Sequence, residues 1–264
     1  MLSFSRQGSG PKLLLIHGLG SSRAAWAPIL PALAKHRELI LIDLPGHGDS
    51  RAEPDSGTFA GLARSVRGFL SEQGLTGADM VGSSLGGRLV LELARTAEAG
   101  SVVALDPGGF WRGWERTFFS TTITASVNLL RLARPALPAL VGNPVTRTAL
   151  LAQLSARPWA LDPEPVANEL KSFASTPTFD ALVADLANGP EQAGPAAPGT
   201  GTVVIGWGKQ DRLCIPVQAK RAQAAFPSSS LHWFAGSGHF PMWDQPAETV
   251  QVILDATGGP WRQD

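Results

Sequence analysis

Met80-Val81-Gly82-Ser83-Ser84-Leu85-Gly86-Gly87 decides how the chain folds, and Arg88-Leu89-Val90-Leu91-Glu92-Leu93-Ala94 runs on behind it with helical composition. A short apolar strand ending at Gly82, a sharp turn that lifts one serine, and a helix opening on small residues form a nucleophile elbow. Gly82, Gly86 and Gly87 let turn and helix approach closely. The spacing also chooses between the two serines. A turn framed on Ser83 puts Val81 and Leu85 at the crowded positions, whereas a turn framed on Ser84 puts Gly82 and Gly86 there. Ser84 is therefore the candidate nucleophile. The same spacing occurs in ordinary glycine-rich loops, so the rest of the chain has to supply its partners.

Outward from the elbow, apolar runs alternate with helical patterns. Leu2 to Arg6 is expected as a short edge strand, Lys12 to Ile16 and Glu38 to Leu44 as strands buried on both faces, and Ser101 to Asp106 as the strand after the elbow helix. Ala24 to Lys35 is helical in composition, and Leu62, Val66, Phe69 and Leu70 recur at helical spacing before Gly74. Such alternation predicts a mostly parallel sheet flanked by helices. From Phe110 to about Asn188 no strand-like run occurs. Four helical stretches take its place: Phe119, Ile123, Val127 and Leu130 mark the first, Leu150, Leu151 and Leu154 the second, Val166, Leu170 and Phe173 the third, and Phe179, Leu182, Val183 and Leu186 the fourth. Gly189 to Gly201 reads as the linker back to the sheet. Strand patterning resumes at Thr202 to Gly206, a helix follows over Val217 to Phe226, Ser230 to Ala235 is the last strand, and a helix over Ala247 to Thr257 closes the chain. The expected organisation is an α/β core over 1–109 and 196–264, with an all-helical cap and return linker over 110–195.

Composition limits the partners. The 264 residues are 44% apolar, enough for one large α/β domain with a buried core. Twenty-two basic residues balance twenty-two acidic ones without a run of like charge, so nothing marks a nucleic-acid or anionic-membrane surface, and a small molecule is the expected partner. Cys214 is the only cysteine, which excludes an internal disulfide and a multi-cysteine metal site. No signal peptide is read at Met1 to Arg6, and no apolar stretch approaches the roughly 20 residues needed to span a bilayer. A soluble, cytoplasmic protein without metal or cofactor is expected.

A serine hydroxyl needs a base beside it, and the base needs an acid to orient it. Ser84, Asp211 and His239 each lie just past the end of an expected strand, on the edge where a parallel sheet gathers its C-terminal ends, and in the chain order serine, acid, histidine. The chain resembles the α/β-hydrolase superfamily over almost its whole length. The resemblance rests on His17-Gly18-Leu19-Gly20, Asp43-Leu44-Pro45-Gly46-His47-Gly48-Asp49-Ser50, Gly82-Ser83-Ser84-Leu85-Gly86-Gly87, Gly206-Trp207-Gly208-Lys209-Gln210-Asp211 with Pro216, and Gly236-Ser237-Gly238-His239. It implies Ser84 as nucleophile, His239 as base and Asp211 as acid, with the backbone N–H groups of Leu19 and Leu85 as oxyanion hole. One departure is an N-terminus short for the family's leading strands. Asp106 also ends a strand, where some members carry their acid, and loop context favours Asp211. His17 and His47 belong to turn motifs, His36 lies on or after a helix, and His232 is inside a strand. Cys214 reads as a small buried filler.

The function expected first is a serine hydrolase of small to medium apolar carboxylic esters, working through an acyl-enzyme on Ser84. The same triad serves other chemistries on this fold. Leu85-Gly86-Gly87-Arg88 resembles menaquinone-pathway lyases, in which an arginine meets a substrate carboxylate, and Asp106-Pro107-Gly108-Gly109 resembles meta-cleavage product hydrolases, which cut carbon–carbon bonds. A receptor or binding module that keeps the fold is the third reading, against which the complete triad argues. Trp111, Trp114 and Phe118, in the aromatic stretch Phe110 to Phe119, are the candidates for lining an apolar acyl pocket.

Overall fold

Lys12–Ile16 (β2) is apolar from Leu13 to Ile16, and each of those four side chains is fully buried, worth roughly 1.5–3 kcal/mol apiece relative to exposure. A strand with two apolar faces needs cover on both, and β2 has neighbours on both edges: Glu38–Ile42 (β3) on one side and Asp79–Ser83 (β4) on the other, both parallel to it. The computed structural model describes residues 2–258. Val102–Leu105 (β5), Val203–Gly208 (β6) and Ser230–Phe234 (β7) extend the parallel sheet, and Phe4–Gln7 (β1) closes the other edge antiparallel to β3, with Phe4 opposite Ile42. The order is β1-β3-β2-β4-β5-β6-β7. The chain leaves β2 toward β3 and then crosses back to β4, so the winding reverses between β2 and β4, where open sheets of this kind take their ligands at the C-terminal edge. Residues 17–20 follow β2 there, and Ser84 follows β4.

The helices follow their end signals. Phe59–Gln73 (α2) starts where the Thr58 hydroxyl accepts the Gly61 N–H at 3.0 Å, and stops at Gly74 with φ of +61°. Leu85–Arg95 (α3) packs against β4 and β5. The stretch Ala24 to Lys35 is not one helix: a 3-10 turn over Arg23–Trp26 and the single helical turn Leu30–Leu33 (α1) replace it. Pro28 and Pro31 remove two backbone donors and interrupt any longer helix, while Trp26, Ile29 and Leu33 still reach the core.

Between β5 and β6 the described residues hold no strand, as the pattern predicts, and carry five helices rather than the four predicted stretches: Trp114–Ala133 (α4), Leu137–Gly142 (α5), Pro144–Leu151 (α6), Pro163–Ser175 (α7) and Phe179–Asn188 (α8). The extra one, α5, is too short to display a period. α4 packs on α7 and α8, and α5 on α7. Val217–Ala225 (α9) lies between β6 and β7. After β7 come Pro241–Asp244 (α10), a single turn absent from the sequence reading, and Pro246–Ala256 (α11). β6 runs on through Trp207 to Gly208 where a loop was expected, because the Trp207 indole is fully buried and donates to the Cys214 carbonyl at 2.8 Å.

Candidate active site

The turn after β4 is tight enough to explain every small residue in it. A Cβ on Gly82 would fall 2.0 Å from the Gly86 carbonyl oxygen, and one on Gly86 would fall 2.1 Å from the Ile16 carbonyl oxygen. Ser84 sits between them at φ of +55°, a left-handed conformation costly for a residue with a side chain. Its N–H donates to Leu105 O at 2.8 Å, and its own carbonyl accepts from Arg88 N at 2.9 Å and Gly108 N at 3.2 Å, so the strained residue is pinned from three directions. Ser83 points into the core, fully buried, its hydroxyl without a partner among the described residues. The two serines the sequence had to choose between thus differ outright in access. The loop after β2 lies directly against the elbow: a Cβ on Gly18 would meet Ser84 Cβ at 3.2 Å.

Asp211 and His239 come together from the ends of β6 and β7. His239 Nδ1 donates to Asp211 Oδ2 at 2.7 Å, while Asp211 Oδ1 accepts the N–H groups of Leu213 at 2.8 Å and Cys214 at 3.0 Å. Both side chains are almost fully enclosed. The loops that carry them touch, since a Cβ on Gly208 would fall 1.9 Å from the Gly238 carbonyl oxygen. His239 Nε2 is buried with no hydrogen-bond partner among the described residues, and it stands on the wall of the cavity that holds Ser84. Asp106 lies next to Asp211, and its Oδ1 accepts the Gly208 N–H at 2.8 Å.

The cavity is small, with a volume of about 30 Å³, and is mostly apolar. Leu19 and Leu85 line it beside Ser84, and the helical segment contributes Trp111, Phe119, Ile123, Leu154, Phe173 and Leu186. Trp111 stacks on Phe119 at 4.4 Å between ring centroids. Trp114 and Phe118, read from the sequence as pocket residues alongside Trp111, lie outside the lining. α4 turns Phe119, Ile123, Val127 and Leu130 inward, which leaves Trp114, 65% exposed, on its flank with Phe118 packed edge-on against it. Arg88 also reaches the cavity. It is buried, its Nη2 donates to Pro190 O at 2.7 Å and its Nε to Gln192 Oε1 at 3.2 Å, and its guanidinium lies 4.2 Å from the centre of the Phe59 ring. None of these three partners is charged; burial lowers its pKa to about 10, against the nearby Asp185 and Glu92 carboxylates, which raise it.

His17, His47 and His232 each hold neighbouring structure. His17 Nδ1 donates to Gly18 O at 2.7 Å and Nε2 accepts Leu44 N–H at 3.0 Å; burial lowers its pKa to about 4 and that of His47 to about 3, so both are neutral. His232 meets Glu248 at 2.9 Å on the far strand. Asp211, Cys214 and His239 have ligand-type atoms within 4.8 Å of one another, the spacing a cation would want. The carboxylate is already committed on both oxygens, and burial followed by the charge of Asp211 pushes the Cys214 thiol well above its ordinary range, so it stays protonated.

A profile described as "Alpha/beta hydrolase family" matches residues 13–252. The chain belongs to the alpha/beta hydrolase family. An uncharacterized protein of Mycobacterium tuberculosis is 32% identical over 270 residues, covering 95% of this chain and 76% of that one. The 2-hydroxy-6-oxo-6-phenylhexa-2,4-dienoate hydrolase of Burkholderia cepacia is 25% identical, covering 94% and 88%. Among solved structures, the enol-lactonase from Burkholderia xenovorans LB400 superposes with a TM-score of 0.74 at 20% identity, covering 96% and 95%, a likeness of fold.

Two residues of this alpha/beta hydrolase were missed by the sequence reading. Asp244 is buried in α10; its Oδ2 accepts Gly238 N–H at 2.8 Å and Ala156 N–H at 2.9 Å, its Oδ1 accepts the Ser155 hydroxyl at 2.5 Å, and His239 N–H donates to Leu154 O at 2.8 Å. The histidine loop is thereby tied to residues 154–156. The available signal was the pair Pro241 and Pro246, which open α10 and α11. Glu169, on α7, is buried against Ser21 with Oε1 unpartnered, and burial pushes its pKa up to about 8. Its position on an apolar helix face gave no warning, because a lone Glu in an amphipathic pattern reads as a solvated residue.

Proposed function

We propose that the protein is a serine hydrolase of small to medium apolar carboxylic esters, in which Ser84 attacks, His239 is the base and Asp211 orients it. One observation carries this reading: His239 Nε2, buried and without a partner, shares a cavity wall with a serine held in a strained turn, while its other nitrogen is fixed 2.7 Å from a carboxylate. An imidazole so held keeps Nδ1 protonated and presents the lone pair of Nε2 for the Ser84 proton. The N–H groups of Leu19 and Leu85 receive the oxyanion, and water activated by His239 releases the acyl group. Residues 110–195 act as a cap: α4, α7 and α8 supply lining opposite Ser84, and their apolar side chains select uncharged acyl or alkyl groups. A panel of p-nitrophenyl esters of increasing chain length, with fluorophosphonate labelling of the parent and of Ser84→Ala, tests it. Turnover and labelling that both survive in Ser84→Ala would sink the reading.

A second reading is favoured by Arg88, a cavity-lining cation whose hydrogen-bond partners are uncharged, with Asp185 and Glu92 acting on it only as nearby charges. A guanidinium in that state gains most from a substrate carboxylate, which suits carbon–carbon bond hydrolysis of an acid-bearing substrate, or a lyase reaction, with the same triad. The name of the Burkholderia cepacia relative points the same way. Turnover of a vinylogous keto acid at the expense of neutral esters, lost in Arg88→Met, would select it.

A further inference from the structure

Asp106 presents a problem of proton count. Its side chain is fully buried; Oδ1 accepts the Gly208 N–H at 2.8 Å, and Oδ2 has no hydrogen-bond partner among the described residues, while Asp211, whose own N–H donates to the Gly208 carbonyl at 3.2 Å, is its neighbour. Ionised carboxylates only accept. Were both ionised, Oδ2 would be an unsatisfied buried oxygen and two like charges would stand side by side out of water, which is costly on both counts. One shared proton removes both defects. Its place is set by the donors: Asp211 already accepts from Leu213 N, Cys214 N and His239 Nδ1, three bonds that favour its charged form, while Asp106 accepts one. The other titratable groups around Asp106 do not oppose this. Asp244 adds a further like charge, the Cys214 thiol is neutral, and His239 Nδ1 is bonded to Asp211.

We propose that Asp106 is a neutral carboxylic acid whose Oδ2–H donates to Asp211, making it a positioning residue that fixes Asp211, and through it His239. Burial first, and then the charge of Asp211, hold this carboxyl well above the ordinary carboxylate range. The backbone fits the same role. Asp106 has φ of +44°, a conformation that Asp and Asn tolerate better than other residues with side chains, and Asn would offer the same acceptor to Gly208 and an N–H in place of the O–H.

The protonation rests on the burial of Asp106, its unpartnered Oδ2 and the neighbouring carboxylates, whereas the positioning role rests on Asp211 orienting His239 as proposed above, and the two are tested separately. Infrared difference spectra of parent against Asp106→Asn at neutral pH should contain a protonated-carboxyl C=O band lost in the variant; no such band would overturn the proposal whatever the enzyme does. In ester turnover, Asp106→Ala should lower kcat on the order of tenfold with KM little changed, the scale on which outer partners of a functional group act. Asp106→Asn should restore most of that loss and leave the acid limb of the kcat/KM profile in place. If Asp106 were ionised, Asp106→Asn would instead move that limb by about one pH unit or more, as removal of a neighbouring charge does, and the proposal would fall. Equal losses in Asn and Ala variants would overturn it too. Should Asp106→Ala not fold, Asp106→Ser replaces it. A parent whose turnover survives Ser84→Ala refutes the triad while leaving the infrared result intact.

Discussion

Gly82 and Gly86 face each other across the elbow with no room for a side chain on either: a Cβ on Gly82 would lie 2.0 Å from the Gly86 carbonyl oxygen. Because backbone meets backbone there, no rotamer change can relieve an added methyl. Gly86→Ala, which would also press on the Ile16 and His17 carbonyls, should cost at least the roughly 1–3 kcal/mol of ordinary overpacking and yield little folded protein. Gly68→Ala, on α2 with open space around it, is the control and should gain a few tenths to about 1 kcal/mol. Urea midpoints of both variants against the parent measure the contrast.

The same frame separates the serines. Ser84→Ala should lower kcat/KM by roughly 10³-fold or more while the urea midpoint stays near the parent value. Ser83→Ala removes a buried hydroxyl without a partner and should leave turnover unchanged with equal or slightly higher stability. Reversed effects on p-nitrophenyl ester turnover would reassign the nucleophile.

Asp211→Asn replaces the charge facing His239 with an amide and should cut turnover by on the order of 10⁴-fold, far beyond any loss from Asp106→Asn. Steady-state kinetics on one ester with both variants decides between the two carboxyls.

Glu169 makes a pH prediction with a definite sign. Its pKa is raised in the folded protein from 4.5 to about 8, so between those values the folded state holds a proton that the unfolded chain has released. The stability this group lends is complete below about 4.5 and falls by about 1.4 kcal/mol per pH unit until it is spent above 8. Glu169→Gln should therefore match the parent in urea at pH 4 and exceed it by a few kcal/mol at pH 9. His17 and His47, with lowered pKa values, act in the opposite direction and below 6.5, equally in both proteins. Identical midpoints at pH 9 would show that Glu169 ionises without cost.

Pocket width is tested from the lining side chains. Ile123→Ala and Leu186→Ala widen the cavity and should move the best p-nitrophenyl ester toward longer acyl chains, with kcat/KM ratios changing by about 10-fold per few methylenes. Trp114→Ala, on the exposed flank, should leave the profile alone.

Much of this was legible in the sequence because it is local. Buried parallel strands show as continuous apolar runs, and the elbow shows as glycines at two offsets from one serine, each with a single steric reason. The failures are local as well as distant. Ala24 to Lys35 has helical composition, yet Pro28 and Pro31 were sufficient to break it. Trp114 and Trp111 are indistinguishable as residues; α4 rolls Trp114 away from the cavity, while Trp111, in the loop before α4, lines it. The Asp106 proton was beyond reach because it depends on how closely the ends of β5 and β6 approach, which no spacing records.

The bonds from Asp244 to Ser155, Ala156 and Gly238 make residues 154–156 part of the frame that holds His239, although by chain position they fall inside the helical segment. The molecule therefore does not divide into a reusable scaffold and an exchangeable lid at the points where the chain leaves and rejoins the sheet. A chimera that replaced the whole segment to import a new specificity would also discard the support under its own histidine. The exchangeable parts are the stretches before residue 154 and after residue 157, grafted separately.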